Sequence, residues 1–350
     1  MSKERTNRLN NLSNSQWLKL TSSVWWSTHE FAWHHEGNKK RDIHAANENG
    51  QLPLLPTLIY SSPQPADELK RQHPATFAES DIRKLILFFT KKQEIVLDPF
   101  LGSGSTCNAC YDTSRNAIGI ELFPHWVSLS KKRLIKATAG SVRKCRITKA
   151  RDVFLETKKG LQFRILCGDS RIRLNELSRE SVDFVVTSPP YWSILSKDGD
   201  YKVQSSRRRY RLPTHYGHST GNLGEISDYP LFLSELQKIF HGCAQVLRRG
   251  RYLCVIAGDF RHGDQFYPFH LDLIDAIRGC GLALEGITII AHNRKYLYPY
   301  GMPYAYVSNI HHSYALIFRK RVLRESSVVD RSNVAKVNGA KSSRERRYIV

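Results

Sequence analysis

Residues 185–192, with the sequence VVTSPPYW, place several chemically useful groups directly after an apolar run. Proline has no backbone N–H, so two consecutive prolines end a strand and leave mainly acceptors, the Ser188 hydroxyl and the Pro189 carbonyl. Two acceptors could hold the hydrogens of an exocyclic base amine and turn its lone pair toward an electrophile. Tyr191, with Trp192 beside it, would stack on such a base, which must leave its helix to arrive there. A plain proline turn with a buried aromatic is the alternative.

A second group of candidate residues follows the strand-like run EIVLDPF, which continues as LGSGST. Gly102 and Gly104 tolerate positive φ and let a ligand approach the backbone closely. No lysine follows the second glycine, so this is not a P-loop, and it does not match GxGxxG. Glu121 ends the next strand, where a carboxylate can take both hydroxyls of a ribose. Asp169 ends a further strand and could accept from an adenine amine.

Each of these acids taken alone is more typical of a solvated residue at a strand end than of a ligand-binding residue. Their occurrence on consecutive strand ends instead indicates an adenosine site, and the missing phosphate-binding lysine indicates an adenosine without a polyphosphate.

Alternating strands and helices would bring these loops together. The strand-like segments are EIVLDPF, NAIGIEL, FRILCGD, VDFVVTSPPYW, GRYLCVIAGDF, LEGITIIAHN and SYALIFRK. The helix-like segments are FAESDIRKLILFFT, TCNACYDTS, HWVSLSKKRLIKA, YPLFLSELQKIFHGCAQVL and FHLDLIDAIRGCG. This order predicts an α/β fold with a doubly wound, mostly parallel sheet of seven strands and helices on both faces. Ligands of such sheets bind beyond the carboxyl ends of the strands.

The chain divides by composition into three predicted parts. Residues 1–69 form an aromatic-rich N-terminal extension, residues 70–320 the catalytic domain, and residues 321–350 a basic, flexible tail. Within the catalytic domain, residues 192–227 form a polar, arginine-rich insert. No internal repeat is evident.

The chain has 350 residues, a formal net charge of +21 and 41% hydrophobic residues, which is enough to bury a core. An excess of basic residues of this size favours a polyanionic partner, and nucleic acid is the commonest one. No apolar run approaches the roughly 20 residues of a membrane span, and the N-terminus lacks a signal-like apolar region. We therefore expect a cytoplasmic protein without a membrane partner.

Seven cysteines are scattered along the chain without the pattern of a disulfide framework. Cys107 and Cys110 form a CxxC, but no second pair follows at zinc-site spacing and both lie in a predicted helix. They are interpreted as reduced core thiols, and no metal site is predicted.

Three segments together resemble a known family: HPATFAESDIRKLI, VLDPFLGSGSTCNACYDTSRNAIGIELFPHWVSLSKKRL and LCGDSRIRLNELSRESVDFVVTSPPYW. They look like the S-adenosylmethionine-dependent amino-methyltransferases of DNA, the N4-cytosine and N6-adenine group. The resemblance runs from about residue 70 to about residue 320, and it implies a Rossmann-like methyltransferase sheet and S-adenosyl-L-methionine as cofactor.

The resemblance also implies roles for individual residues. The segment flanking the methionine moiety would contain His73, Pro74, Thr76 and Phe77. The cofactor loop would be formed by Asp98, Phe100, Gly102, Ser103, Gly104 and Thr106. Glu121 would bind ribose and Asp169 adenine. The catalytic residues would be Ser188, Pro189, Pro190 and Tyr191.

In this family a serine at the first position of the catalytic loop accompanies cytosine methylation more often than adenine methylation. The resemblance therefore favours an enzyme that forms N4-methylcytosine in double-stranded DNA by base flipping, with N6-adenine methylation as the alternative. An RNA methyltransferase and a non-catalytic nucleic-acid-binding module of this fold are further alternatives. A cytosine C5 enzyme would need a cysteine nucleophile, usually after proline, and no Pro-Cys occurs. A cognate restriction enzyme or defence-system subunits would be partners in restriction-modification.

The cofactor loop precedes the catalytic loop in this sequence, whereas in the family members with the most similar sequence style the catalytic loop commonly comes first. The chain therefore resembles a circular permutation of those members. Target recognition then has three candidate segments: the N-terminal extension, the insert, and the loop at residues 293–309. The insert is favoured because arginine, tyrosine and histidine suit phosphate and base contacts. Its predicted DNA-binding residues are Arg207, Arg208, Arg209 and Arg211. A solvated basic loop is the alternative.

Overall fold

The computed structural model describes residues 9–12, 24–27, 59–60, 67–73, 78–192, 216–292 and 306–322, and for 24–27, 59–60 and 71 it describes the backbone alone. Several predicted site residues lie outside these ranges: Pro74, Thr76, Phe77, Arg207, Arg208, Arg209 and Arg211. Most of the predicted tail, residues 323–350, lies outside them as well.

The strands of the described residues are β1 (Val24–Ser27), β2 (Ile59–Tyr60), β3 (Ile95–Asp98), β4 (Asn116–Glu121), β5 (Val142–Ile147), β6 (Val153–Thr157), β7 (Gln162–Cys167), β8 (Val182–Thr187), β9 (Leu247–Ala257), β10 (Phe260–His262), β11 (Gln265–Tyr267), β12 (Leu282–His292) and β13 (His312–Lys320). The α-helices are α1 (Glu68–Arg71), α2 (Glu79–Phe89), α3 (Ser105–Asp112), α4 (Pro124–Ala137), α5 (Ser170–Arg173), α6 (Tyr229–Val246) and α7 (Phe269–Arg278). Short 3-10 helices lie at Leu174–Glu176 and Leu223–Glu225.

Eleven of these strands form one sheet, in the order β2-β1-β12-β13-β9-β8-β3-β4-β7-β6-β5, and β10 pairs with β11 separately. Six neighbouring pairs in the large sheet are parallel and four are antiparallel. The predicted strands form its contiguous centre, from β12 to β7. The prediction of seven strands is nevertheless wrong for the described residues, because two further strands pair at each end.

Three of the four missed strands of the large sheet have a physical reason for being missed. Strands β1 and β2 have four and two residues, too few for a periodic pattern. Strand β5 lies at the edge of the sheet and is exposed along most of its length, so it lacks the apolar alternation that marks a half-buried strand. The N-terminal extension is thus joined to the sheet through β1, which pairs in parallel with β12.

The helices pack on both faces of the sheet, as expected for a doubly wound fold. Successive strand residues point to opposite faces, and they divide between two hydrophobic cores. The core that contains α6 and α7 takes Leu97, Val185, Leu253 and Leu316 from the strands. The core that contains α2, α3 and α4 takes Val96, Val186, Cys254 and Ala315. The sheet is therefore buried on both faces at its centre.

Local chemistry explains where the helices begin. Helix α6 follows Asp228, whose side chain accepts a hydrogen bond from the Leu231 N–H, and it has proline in its first turn. Its buried residues Phe232, Leu236 and Ile239 recur at three or four positions and form its apolar face.

Cys107 and Cys110 are buried as free thiols within α3, as predicted for core cysteines. Burial raises the pKa of both thiols. None of the helices in the described ranges combines the length and apolar character that crossing a bilayer would need.

Candidate active site

A cavity of about 300 Å³ extends along the carboxyl ends of the central strands, from β12 to β7. Its volume lies at the lower end of the range for small-molecule sites. The predicted site residues that line it are His73, Phe100, Gly102, Ser103, Glu121, Asp169, Ser188, Pro189, Pro190 and Tyr191. The cavity thus brings the predicted cofactor residues and the predicted catalytic loop into one space.

The glycine-rich loop between β3 and α3 forms one wall of the cavity. Gly102 has φ of 53° and Gly104 has φ of 85°, conformations that favour glycine. A Cβ on Gly102 would lie 3.0 Å from the imidazole ring of His73, and one on Gly104 would lie 2.9 Å from Ser130 Cβ. Both glycines are therefore required by backbone conformation and by close packing.

Glu121, the last residue of β4, faces the cavity and holds this loop. One carboxylate oxygen accepts from the Gly102 N–H at 2.8 Å, and the other accepts from the Phe123 N–H at 3.0 Å. Burial raises the pKa of Glu121 to about 7, against the lowering effect of these hydrogen bonds. A carboxylate oxygen has more than one acceptor site, so Glu121 keeps the capacity to take ligand hydroxyls.

Asp169, which follows β7, lies on the cavity rim and begins helix α5. Its carboxylate accepts from the Arg171 backbone N–H at 2.9 Å and from the Arg171 guanidinium at 2.5 Å. Arg171 also pairs with Glu235 of α6, and the hydrogen bond to Asp169 raises the pKa of the guanidinium. Arg171 therefore fixes the direction of the carboxylate, which a sequence motif alone does not reveal.

Asp98 does not line the cavity, although it belongs to the predicted cofactor loop. It is fully buried, and it accepts from the Phe100 N–H at 3.0 Å, from Thr106 Oγ1 at 2.6 Å and from Thr187 Oγ1 at 2.6 Å. Burial raises its pKa, while these hydrogen bonds lower it. Since Thr187 directly precedes Ser188, one buried carboxylate ties the cofactor loop to the catalytic loop. Gly104 and Thr106 likewise support the loop from behind the cavity wall.

A buried arginine supports the loop from the other side. Arg133 of α4 is 2% exposed and pairs with Asp67 at 2.7 Å and with Glu79. Its guanidinium also donates to the Ser103 carbonyl. Sequence reasoning missed this residue because it stands in a run of basic residues on an amphipathic helix, a pattern typical of a solvated face.

The catalytic loop leaves β8 and enters the cavity at Ser188. Within the described residues the Ser188 hydroxyl has no hydrogen-bond partner, so its acceptor and donor capacity are available to a ligand. The Tyr191 hydroxyl accepts from the Gly258 N–H at 2.8 Å, and its ring makes an edge contact with Phe260 and a tilted contact with Phe269. The aromatic ring is therefore held in place at the cavity wall.

Trp192 does not have the position that was expected of it. It is 7% exposed and packs against Tyr229, His262 and Tyr267, outside the cavity wall. The prediction that Trp192 stacks on a base is therefore wrong, because its indole packs into the core beside α6.

Two groups of cavity residues were missed by sequence reasoning. Tyr216, Gly221 and Asn222 lie in the second half of the insert and line the cavity, and the Trp126 indole donates to the Tyr216 carbonyl at 2.9 Å. His292 and Ser313 lie at the ends of β12 and β13 and contact each other at 3.0 Å. No local pattern distinguishes these residues, since the pairing of distant strands brings them to the cavity.

The three candidate segments for target recognition lie largely outside the described residues. The four arginines of the insert lie outside the described residues, as do most of the N-terminal extension and residues 293–305. Their roles stay predictions. Among the described residues, no three histidine, cysteine, aspartate or glutamate side chains gather where they could hold a metal ion.

The cavity fits a cofactor with an adenosine moiety. Glu121 and Asp169 place two carboxylates on neighbouring strands β4 and β7, and the Gly168 N–H donates to the Glu121 carbonyl at 2.9 Å, which fixes their spacing. The left-handed glycine loop lies on the next strand over, without a lysine in its GSGST turn that would hold phosphates.

Comparison with known sequences finds similarity to DNA methylases. A family model named N6_N4_Mtase and described as DNA methylase matches residues 1–132, which include the glycine-rich loop and Glu121. The type II methyltransferase M.Cfr9I of Citrobacter freundii is 45% identical over 62 residues, 18% of this chain and 21% of that protein. The type II methyltransferase M2.LlaDCHI of Lactococcus lactis subsp. cremoris is 28% identical over 144 residues, 39% of this chain and 51% of that protein.

The matched relatives extend well beyond what this chain matches, since the alignments cover between about a fifth and about half of their length. Among solved structures, a candidate DNA modification methylase of Thermus thermophilus in complex with S-adenosyl-L-methionine is 26% identical over 44% of this chain and 54% of that chain, with a TM-score of 0.31. A TehB-like SAM-dependent methyltransferase of Corynebacterium glutamicum is 10% identical over 71% of this chain and 89% of that chain, with a TM-score of 0.36. On the sequence matches, part of this chain is similar to the DNA methylases of the N6_N4_Mtase family and to type II methyltransferases.

Proposed function

We propose that this chain methylates the exocyclic amine of a base in double-stranded DNA, and that the base is cytosine, modified at N4. One observation carries the proposal: a single cavity contains the strand-end carboxylates Glu121 and Asp169 together with the hydroxyl of Ser188 in an SPPY loop, which has no hydrogen-bond partner in the described part of the chain. The cofactor side and the amine-binding side are thus adjacent, as methyl transfer between two bound groups requires.

The proposed cofactor is S-adenosyl-L-methionine, which when bound supplies an electrophilic methyl group on its sulfonium. Glu121 would accept the ribose hydroxyls and Asp169 the adenine amine. The methionine part would lie along Gly102 and His73, whose ring packs against that glycine. Asp98 and Arg133 would hold the loop that makes these contacts.

The target amine would lie against the catalytic loop. The Ser188 hydroxyl and the Pro189 carbonyl would accept its two hydrogens and orient the nitrogen lone pair toward the cofactor side, so that catalysis rests on positioning and hydrogen bonding. The Tyr191 ring would stack on the base, which must leave the helix to enter the cavity. His292 and Ser313 line the same part of the cavity and would supply polar contacts to the base edge.

The choice of cytosine over adenine rests on the resemblance of Ser188 to the serine of cytosine-N4 enzymes. N6-adenine methylation is the alternative, since the matching family model covers both reactions. The relatives named type II methyltransferases support restriction-modification as the setting, with a cognate restriction enzyme or defence-system subunits as proposed partners.

The chain should be expressed in a host that lacks its own DNA methylation, and the genomic DNA digested to nucleosides for mass spectrometry. We expect N4-methylcytosine. N6-methyladenine alone would overturn the base assignment but keep the reaction class. The DNA could also carry neither mark although the cells contain protein that binds the cofactor. This result would contradict the proposed substrate and direct the search to RNA.

Cofactor affinity should depend on pH through Glu121. Ribose hydroxyls donate to a carboxylate, so binding favours the ionised form, whereas below the pKa of about 7 the free protein carries a proton there. Affinity is therefore expected to fall as the pH decreases below 7, by up to about tenfold per pH unit. Calorimetry with S-adenosylhomocysteine between about pH 5.5 and about pH 8.5 measures this, with proton release detected from its dependence on buffer ionisation heat.

Glu121→Gln is the control, because it has no proton to lose. Its affinity should be lower and nearly independent of pH in the same range. If the variant kept the pH dependence of the natural protein, the titrating group would be another cavity residue such as His73, and the assignment to Glu121 would be wrong.

A further inference from the structure

The hairpin of β5 and β6, at the sheet edge beyond the cofactor side, carries a dense positive charge that the proposed mechanism does not use. Residues 142–159 contain seven lysines and arginines and only two acids. Both acids are already paired with arginine: Asp152 with Arg173 at 2.7 Å, and Glu156 with Arg143 at 2.5 Å. The remaining basic residues of the hairpin lack a carboxylate partner within the described residues.

The two turns of this hairpin region place the charge at opposite ends of the strands. Strand β7 runs parallel to β4, and the two hairpin strands alternate in direction after it, with Ile147 opposite Val153 and Val153 opposite Ile165. The turn between β5 and β6 therefore lies at the carboxyl edge, the same edge as the cavity. The turn between β6 and β7, which carries Lys158 and Lys159, lies at the opposite edge.

The turn on the cavity side, called the basic turn here, comprises residues 146–151 and carries three exposed cations, Arg146, Lys149 and Arg151. It is rigidly attached to the cavity rim through Asp152. One oxygen of Asp152 accepts from the Cys167 N–H at 2.8 Å, and the other accepts from Arg173. Cys167 is followed directly by Gly168 and Asp169, so the basic turn and the rim form one fixed unit.

Arg146 is also held in place. It lies over the Phe154 ring at 4.8 Å from the centroid, and Arg164 lies over the same ring at 5.6 Å. Ordered cations lose less conformational entropy on binding than flexible ones, which favours a specific role over a merely solvated charge run.

We propose that the basic turn binds the phosphate backbone of the substrate duplex beside the flipped base. The inference rests on the proposed function, and it adds a contact surface that lies outside the insert. Strand spacing of about 4.8 Å places β5 roughly 24 Å from β8, five strands along the sheet. At a rise of about 3.4 Å per base pair, the contacted phosphates lie about seven base pairs from the target.

The chain offers a matched control for the test. Lys149→Gln/Arg151→Gln and Lys158→Gln/Lys159→Gln each remove two exposed positive charges from the same hairpin, one pair at the cavity edge and the other at the opposite edge. Binding to a fluorescent duplex of about 30 base pairs is measured by anisotropy as a function of salt. Both variants should bind S-adenosylhomocysteine as the natural protein does, which shows that they are folded.

The basic-turn variant is expected to bind DNA about tenfold more weakly, and the slope of log affinity against log salt should fall by about 1.8, two contacts at about 0.9 each. The control should stay within about twofold of the natural protein. In methylation assays the basic-turn variant should raise KM for DNA and leave kcat unchanged at saturating DNA.

Equal losses in the two variants would overturn the proposal, because they would report net charge alone. The absence of any loss, in a natural protein that binds and methylates DNA, would also overturn it while leaving the proposed function intact. A natural protein that binds S-adenosylhomocysteine but neither binds nor methylates duplex DNA would contradict the proposed function itself. Tighter binding to duplex RNA, lost in the basic-turn variant, would overturn DNA as the partner of this surface.

Discussion

Replacing Ser188 with alanine is expected to lower the single-turnover rate of DNA methylation about a hundredfold or more. The Ser188 hydroxyl faces the cavity without a partner among the described residues, whereas the neighbouring Thr187 hydroxyl donates to Asp98. Its loss removes one of the two acceptors proposed to hold the target amine. Genomic DNA from a methylation-free host is a suitable substrate, because it contains every recognition sequence.

The same variant should bind S-adenosylhomocysteine within about threefold of the natural protein, since the hydrogen bonds that hold Glu121 and Asp169 do not involve the Ser188 hydroxyl. Ser188→Asn is the matched control. Its amide oxygen is again an acceptor, so it should retain more activity than alanine. Unchanged turnover in Ser188→Ala would remove Ser188 from the mechanism, and a large loss of cofactor affinity would assign it a structural role instead.

Replacing Asp98 with alanine should have the largest combined effect on folding and on the site. The substitution leaves three buried donors, the Phe100 N–H and the hydroxyls of Thr106 and Thr187, without their acceptor. A buried donor left without an acceptor costs about 1–3 kcal/mol, so we expect the free energy of unfolding, measured by urea denaturation, to fall by about 3 kcal/mol or more. Cofactor affinity should fall about a hundredfold, because the glycine loop loses its support.

Two milder variants separate the two loops that Asp98 joins. Thr106→Val removes the hydrogen bond toward α3, and Thr187→Val removes the one toward Ser188. Each should cost about 1 kcal/mol in stability. Thr106→Val should weaken cofactor binding more than turnover, whereas Thr187→Val should lower turnover more than cofactor binding. Equal effects of the two threonine variants on both measurements would contradict the assignment of separate loops.

The centre of the fold was predictable because its signals are local. Strands such as VDFVVT are apolar throughout, as strands buried on both faces are, and helices such as α6 begin at a capping aspartate and repeat apolar residues at helical spacing. The edge strands were not predictable in the same way. β5 is a charged edge strand whose main stabilisation is its ladder of backbone hydrogen bonds with β6, and such a ladder leaves no mark on residue types.

Individual residues of the site could be predicted from the sequence, but their arrangement around one cavity could not. Glu121, Asp169 and Ser188 could each be found at the end of a strand-like run, and the parallel order of β7, β4, β3 and β8 brings all three to one edge. The sequence assigned Asp98 to the glycine-rich loop, but it did not show that the side chain is buried beneath that loop and away from the cavity. Its burial depends on Thr187, a residue 89 positions away in the chain.

The sequence by itself determined the kinds of elements, the carboxylates and acceptors at the strand ends, the glycines that the loop conformation demands, and the basic charge that suits a nucleic acid. The tertiary structure alone decided which of these groups share a cavity. It also decided that Arg171 and Arg133 hold the site from behind, that His292 and Ser313 enter it, and that one turn of a basic hairpin faces the same edge while the other faces away. The physical reason is that periodicity and turn chemistry report only local preferences, whereas strand order and direction are set by pairing between distant segments.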